Sequence, residues 1–307
     1  IIPKLGGQQN IYLMRAESPG PIVGKAVPKM RSYAGMLYGI YFGLTVAECI
    51  LLLCGGMGFF DAINTSFATA GTGGFSVRNA SIAAYGNLGA EVVISIFMLL
   101  FGINFNLYYL LLIKKFKAVF KSGEMWIYLG IVAASIGVIT VNILSFYDSF
   151  GKALTDAAFQ VSSIMTTTGY TTADYDVWPS FSKAILMMLM VIGASAGSTG
   201  GGMKVARVML LAKSLRRNIR QVLHPKKVQV VRNNDAVVDE KVLDNTNAYL
   251  AAYMIILILS VLVISLDGFG FETNMSAVLA CFNNIGPGMA AVGPTCNYAA
   301  YSTLSKI

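Results

Sequence analysis

Charged side chains are scarce in this 307-residue chain, since Asp, Glu, Lys and Arg together make up 12% of it. Soluble globular domains carry roughly twice that share, whereas hydrophobic residues make up 55% of this sequence. A large soluble core is the alternative, but several apolar stretches reach the ~20 residues that cross a bilayer as a helix. These stretches are 36–54, 92–113, 126–145, 181–191 with its continuation to 211, and 248–266. The composition therefore predicts an all-α integral membrane protein.

The residues that build most catalytic and metal sites are also rare. The one histidine, His224, precedes a proline in a basic connection, and the four cysteines show no metal-ligand spacing. A Gly-rich stretch before Lys204 resembles a phosphate-binding loop, but Met203 interrupts the Gly-Lys pair and no Ser or Thr follows the lysine. An integral-membrane enzyme stays an alternative, but the sequence offers no catalytic constellation. We therefore expect no enzymatic activity and no organic cofactor.

Acidic residues are missing from 204–232, which carries nine Lys and Arg residues, and basic residues also cluster in 4–31 and 114–121. The other connections are acidic. By the positive-inside rule, the basic connections are cytoplasmic and the acidic ones face outward. The net charge of +8 thus reflects the orientation of the protein in the membrane and does not indicate a nucleic-acid partner. A docking surface for a partner or for anionic membrane lipid is a second interpretation of the basic clusters.

An internal repeat organises the chain. Each unit has an outward span, a short amphipathic stretch, a Gly-rich or Asn-rich loop and a return span. We predict three units: 36–54, 59–69, 70–76 and 91–113; then 126–145, 152–165, 166–172 and a return from 181; then 248–266, 274–282 and 283–292, with no return span before the sequence ends. Gly73, Gly169 and Gly286 are predicted to be equivalent positions in the three loops.

These loops are predicted to form an ion filter. Irregular backbone at membrane depth is tolerated only where it is buried in protein or lines a water-filled path, and successive carbonyl groups can replace the hydration shell of a cation. Ordinary turns between hairpin helices are the alternative for any single loop, but three such loops on the acidic side favour a cation pathway. The predicted ion-binding residues are Gly71, Thr72, Gly73, Thr167, Thr168, Gly169, Asn284, Ile285 and Gly286.

A gate is predicted in the second return span. Five glycines stand between positions 193 and 202, and each costs a helix about 1 kcal/mol relative to alanine. The span should therefore break below the second loop, although close helix packing through small residues is an alternative. The predicted gate residues are Gly193, Gly197, Ser198, Thr199, Gly200, Gly201, Gly202 and Lys204. A secondary transporter with broken helices in two matched halves is a further alternative.

Glu48 is the charged residue that stands within the first apolar span. An ionisable residue at such a depth is a functional candidate. We expect it to be paired for structural reasons, with ion binding as the alternative.

Four segments resemble the TrkH-type potassium-uptake proteins of the Trk/Ktr/HKT superfamily: 70–76 (AGTGGFS), 166–172 (TTTGYTT), 283–288 (NNIGPG) and 193–207 (GASAGSTGGGMKVAR). The resemblance implies four helix–pore-loop–helix repeats around one pseudo-fourfold pore, with K⁺ as the transported ion at the filter residues. It also implies a homodimer, a cytosolic nucleotide-binding regulatory subunit similar to TrkA or KtrA, and a multi-pass location in the bacterial cytoplasmic (inner) membrane. The first filter segment of that family has no counterpart here, so a sodium or mixed-cation transporter of the same fold is the alternative.

Matched to that family, the chain is expected to be a fragment with five parts. We expect a cytoplasmic connection at 1–32, the second repeat at 33–121, the third repeat with its gating loop at 122–215, a basic cytoplasmic linker at 216–247, and the first span and pore loop of the fourth repeat at 248–307.

Overall fold

The computed structural model describes residues 30–224, 226, 229–233 and 236–306, and these are mostly helical. Of the predicted connection 1–32, residues 1–29 lie outside the described residues. The helices are α1 (Met30–Cys54), α2 (Phe59–Ala70), α3 (Leu88–Phe101), α4 (Phe105–Leu112), α5 (Phe116–Phe120), α6 (Gly123–Ile143), α7 (Phe150–Met165), α8 (Ser180–Ile192), α9 (Val205–Leu223), α10 (Glu240–Ile264) and α11 (Phe271–Phe282). A two-stranded antiparallel ribbon, β1 (Arg232–Asn233) and β2 (Ala236–Val237), precedes α10.

Among the described residues, three helices are long and apolar enough to cross a membrane: Tyr33–Cys54, Gly123–Phe146 and Glu240–Asp267, each with a mean hydropathy of 1.9 or more. Their large apolar side chains are widely exposed, for example Phe42, Val141 and Leu262. Soluble proteins rarely present apolar surface of this extent, so these faces suit a lipid environment. The predicted all-α membrane class is confirmed.

The short helices α2, α7 and α11 follow the three spans and carry the loops. Helix α7 is the central one: it packs against α3 of the first unit and against α6 and α8 of its own. Its residues Ala157, Val161 and Ile164 are fully buried in the largest core cluster, together with Leu186 and Met190 of α8. Helix α11 packs against α8 as well as α10. Helix α7 therefore lies inside the bundle, whereas α2 keeps an exposed apolar face.

The return span of the first unit differs from the prediction. We expected one helix over 91–113, but the structure has α3 and α4 bent by 88° at a short break. The Asn104 side chain begins α4 by accepting a hydrogen bond from the Asn106 amide at 2.9 Å. Gly102 allows the break to pack tightly, because a Cβ atom there would collide with the Tyr128 hydroxyl and would lie 2.8 Å from a Thr166 methyl group.

The second return span breaks where its glycines predicted, between the end of α8 at Ile192 and the start of α9 at Val205. The linker predicted at 216–247 contains helix at both of its ends. Helix α9 continues to Leu223, and α10 begins at Glu240, where the Asp239 side chain accepts a hydrogen bond from the Lys241 amide at 3.1 Å. Arg217 of α9 also pairs with Glu240 at 2.6 Å.

Candidate functional site

The three loops make the same backbone turn. Each short helix is followed by a residue at positive φ that is not glycine, namely Thr72 (48°), Thr167 (58°) and Asn284 (57°). Two residues later comes a glycine at positive φ: Gly74 (64°), Gly169 (85°) and Gly286 (109°). Left-handed backbone is uncommon for residues with a side chain, so its occurrence at three matched positions marks one repeated structure.

The first loop is shifted by one residue from the predicted register. In each loop the residue before the glycine donates its amide to a carbonyl five residues earlier: Gly73 to Ala68 (2.7 Å), Thr168 to Ser163 (2.9 Å) and Ile285 to Ala280 (2.7 Å). Gly73 therefore matches Thr168, and the counterpart of Gly169 and Gly286 is Gly74. The predicted equivalence of Gly73 is wrong, because the end of α2 sets the register and the Gly73–Gly74 pair left it ambiguous.

The glycines of the first two loops each pack against a carbonyl group of the next loop. A Cβ atom on Gly74 would collide with the Thr168 carbonyl oxygen, and one on Gly169 would collide with the Ile285 carbonyl oxygen. A Cβ on Gly286 would meet no heavy atom within 4 Å. The three loops are thus arranged in one rotational sense, and only glycine fits the two contacts between them.

Tyrosines of the second loop brace both neighbouring loops. The buried Tyr170 hydroxyl shares its proton between the Thr65 carbonyl of α2 at 3.1 Å and the Phe75 carbonyl of the first loop at 3.3 Å. The buried Tyr175 hydroxyl donates to the Gly288 carbonyl of the third loop at 3.0 Å. The Asp176 carboxylate accepts a further hydrogen bond from the Ala290 amide at 2.8 Å. The predictions did not include these residues, although the Tyr that follows Gly169 in the sequence was a usable signal.

The glycine-rich segment between α8 and α9 lies against the inner end of all three loops. The Thr72 hydroxyl donates to the Thr199 carbonyl at 3.0 Å, and the Gly201 amide donates to the Thr167 hydroxyl at 2.6 Å. A Cβ on Gly201 would also collide with the Asn283 carbonyl oxygen of the third loop. The structure therefore brings the predicted gate residues together with the predicted filter residues.

The bend between α3 and α4 holds the other side of this segment. The Ser195 amide donates to the Gly102 carbonyl at 3.1 Å, and the Phe105 amide donates to the Gly197 carbonyl at 3.0 Å. The Thr199 hydroxyl donates to the Phe101 carbonyl at 3.3 Å. Breaking the first return helix exposes backbone groups that a continuous helix would satisfy internally, and the glycine-rich segment pairs with them. Sequence reasoning missed this partnership, because it found one broken helix and the described residues contain two.

Two charged side chains fix the same segment. The Glu124 carboxylate, at the start of α6, accepts a hydrogen bond from the Ala196 amide at 2.6 Å. The Lys204 ammonium group donates to the Gly200 carbonyl. Gly193, Gly197 and Gly202 have positive φ values of 69°, 69° and 77°, which glycine adopts at no steric cost. Ser198 donates its hydroxyl to the Ser195 carbonyl at 2.6 Å within the segment.

Comparisons with known proteins agree with this architecture. The family model described as "Cation transport protein" (TrkH) matches residues 1–125 and 147–307. "Trk system potassium uptake protein TrkH" of Salmonella typhimurium (strain LT2) is 36% identical over the whole chain, which spans 64% of that relative. "Trk system potassium uptake protein TrkG" of Escherichia coli K12 is 30% identical over 95% of the chain and 60% of its own length.

A solved structure is similar as well. The crystal structure of the potassium transporter TrkH from Vibrio parahaemolyticus superposes with a TM-score of 0.84 at 30% identity, covering 96% of this chain and 64% of that one. The chain thus spans less than two thirds of the length of these relatives. From the family match and the shared fold, the chain belongs to the TrkH family of cation transport proteins.

Proposed function

We propose that this chain supplies part of a pathway for potassium uptake across the bacterial cytoplasmic membrane. The observation that carries the proposal is the threefold repetition of one backbone turn, with the first loop packed on the second and the second on the third. The relatives in the comparison are named as potassium uptake proteins, and the spans suit a multi-pass membrane protein.

Potassium, as the transported ion, would bind backbone carbonyl groups of the three loops. With the register corrected, the matched positions are Thr72–Gly73–Gly74, Thr167–Thr168–Gly169 and Asn284–Ile285–Gly286. Carbonyl oxygens held at fixed positions can replace water around a dehydrated cation. In the longer protein, a fourth loop would stand beside Gly286, where a Cβ atom would meet nothing within 4 Å.

The glycine-rich segment would act as the gate. It is bonded to the inner residues of the first two loops and abuts the third, so it lies where it would block a path through their centre. Opening would require the segment to leave the bend at Gly102 and the Glu124 carboxylate. The bonds to be broken are few, and most involve backbone groups.

The remaining expectations about the whole protein are also proposals. We propose a homodimer in membrane lipid, regulated by a cytosolic nucleotide-binding subunit similar to TrkA or KtrA, with no enzymatic activity. The basic helix α9, with Arg216, Arg217 and Arg220, suits the cytoplasmic side. Transport of sodium, or of both ions, by the same fold is the alternative function.

The test is a measurement of ion flux by the full-length protein in proteoliposomes. Potassium flux well above sodium flux supports the proposal. Equal fluxes would favour the mixed-cation alternative, and the absence of cation flux in the presence of the regulatory subunit would overturn the proposal.

A further inference from the structure

Two lysines lie where neighbouring units meet. Lys152, near the start of α7, lies 2.8 Å from Asp156 of the same helix and 3.9 Å from Glu91 of α3 in the first unit. Lys183, near the start of α8, lies 2.7 Å from Glu272 of α11 in the third unit. Opposite charges therefore join both unit boundaries, at the helix ends that lie away from the glycine-rich segment.

The two boundaries use matched positions with opposite charges. Glu91 is the fourth residue of the return helix α3, and Lys183 is the fourth residue of the return helix α8. The return helix thus supplies the acid at the first boundary and the base at the second, and the short helix of the next unit supplies the opposite charge. What the two boundaries share is therefore the attraction between units, and not either side chain alone.

Lys183 also reaches the third loop through Asp176. Its ammonium nitrogen lies 3.7 Å from the Asp176 Oδ1 atom, and the same oxygen accepts the hydrogen bond from the Ala290 amide at 2.8 Å. The neighbouring Tyr175 hydroxyl donates to the Gly288 carbonyl of the same loop. Two adjacent residues thus hold the third loop, and Lys183 balances the charge of the one that is a carboxylate.

The surroundings of Lys183 make its charge effective. Its side chain is 16% exposed, so water screens it less than it screens an ordinary surface ion pair. The ammonium group stands between Asp176, which follows the second loop, and Glu272, which belongs to the third unit. Without the lysine these two carboxylates would repel each other, and the third loop would shift relative to the second.

Lys152 offers an internal comparison. Both of its carboxylate partners, Asp156 and Glu91, belong to helices, whereas Asp176 is bonded directly to a loop residue. Losing Lys152 should weaken the packing of α3 on α7, but it leaves the hydrogen bonds between the second and third loops in place.

We propose that Lys183 is a positioning residue, which sets the spacing between the second and third loops by holding Asp176 and Glu272 together. This role rests on the proposed function, because the spacing matters to transport only if these loops bind the ion. Selectivity in a filter of carbonyl groups depends on how those groups are arranged around the cation. Lys183 therefore influences the potassium-to-sodium ratio without touching the ion.

Potassium and sodium fluxes of the full-length protein in proteoliposomes test the positioning role. Lys183→Met should lower the potassium-to-sodium ratio about fivefold, the size expected for loss of a partly shielded ion-pair network, and Lys183→Arg should retain the ratio. Lys152→Met is the matched control and should keep the wild-type ratio. An unchanged ratio in Lys183→Met, or an equal loss in Lys152→Met, would contradict the proposal. If Lys183→Met does not insert in the membrane, Asp176→Asn decides in its place, because it removes the charge that Lys183 holds and keeps an acceptor for the Ala290 amide.

Thermal unfolding of the full-length protein in detergent tests the ion pair without measuring transport. Lys183→Met and Glu272→Gln should each lower the unfolding midpoint. The double variant should lower it by less than the sum of the single shifts, because both changes remove the same interaction. Additive shifts would overturn the proposal. If wild type itself carries no cation, the proposed function and the positioning role fail together, whereas non-additive shifts would still support the contact between Lys183 and Glu272.

Discussion

The hydroxyl of Tyr175 donates a hydrogen bond to the carbonyl oxygen of Gly288 across 3.0 Å, joining the second loop to the third. Both groups are buried inside the bundle, and Tyr175 is fully covered. Since Tyr170 makes the matching bond to the first loop, the second loop holds the spacing of all three.

Substituting Tyr175→Phe should therefore lower ion selectivity more than it lowers protein yield. The ring still packs, but the Gly288 carbonyl loses its donor, and an unsatisfied buried group costs about 1–3 kcal/mol. We expect the potassium-to-sodium flux ratio to fall about fivefold or more. Tyr38→Phe is the control, because Tyr38 is 63% exposed. An unchanged ratio in Tyr175→Phe would show that the hydroxyl does not position the loops.

The two adjacent glycines of the first loop should respond differently to alanine. A Cβ on Gly74 would collide with the Thr168 carbonyl oxygen, and Gly74 has a φ of 64°, which costs other residues about 1–2 kcal/mol. A Cβ on Gly73 would meet mainly the ring of Phe75 at 3.2 Å, which can move. Flux measurements should show Gly74→Ala inactive and Gly73→Ala active. The reverse result would restore the register predicted from the sequence.

Removing residues 196–199 should raise basal ion flux. The deletion eliminates the Ala196 amide that binds Glu124 and the Thr199 carbonyl that accepts from Thr72. The glycine-rich segment would then lose its bonds to α6 and to the first loop. Flux equal to that of wild type, in a variant that still inserts in the membrane, would argue against a gate.

Replacing Glu124 by alanine is a smaller change than this deletion and should also raise basal ion flux. A hydrogen bond to a charged group contributes about 1.5–3 kcal/mol, so the closed arrangement should weaken by about tenfold or more. Glu124→Gln keeps an acceptor for Ala196 and should be milder. Glu240→Ala is the control, since Glu240 makes an exposed ion pair with Arg217. Basal flux, measured without the regulatory subunit, should rise most in Glu124→Ala, less in Glu124→Gln and not in Glu240→Ala.

Much of the fold follows from residue patterns. Apolar stretches of sufficient length located the three long spans, and the glycines of 193–202 located the break between α8 and α9. These features depend on local composition, because hydropathy and helix propensity act over short windows. The three short helices also appeared within a few residues of their predicted bounds.

The features that depend on contacts between distant residues were not predictable. The bend at Gly102 is stabilised by Gly197 and Ser195, about ninety residues away, and a single glycine costs a helix too little to break it alone. The register of Gly74 is set by the end of α2 and by the carbonyl of Thr168. Within the part of the chain that the structure describes, the Glu48 carboxyl has no hydrogen-bond partner, and this emerged only when the helices around it were in place.

The central claim is that the repeated loops form a potassium filter, and the most direct test is the substitution Gly169→Ser in the full-length protein. Gly169 has a φ of 85°, and any Cβ there would collide with the Ile285 carbonyl oxygen. Potassium and sodium fluxes should be measured in proteoliposomes for wild type and variant at equal protein content. We predict that the substitution reduces potassium flux and the potassium-to-sodium ratio together. Flux and ratio both equal to wild type would contradict the account.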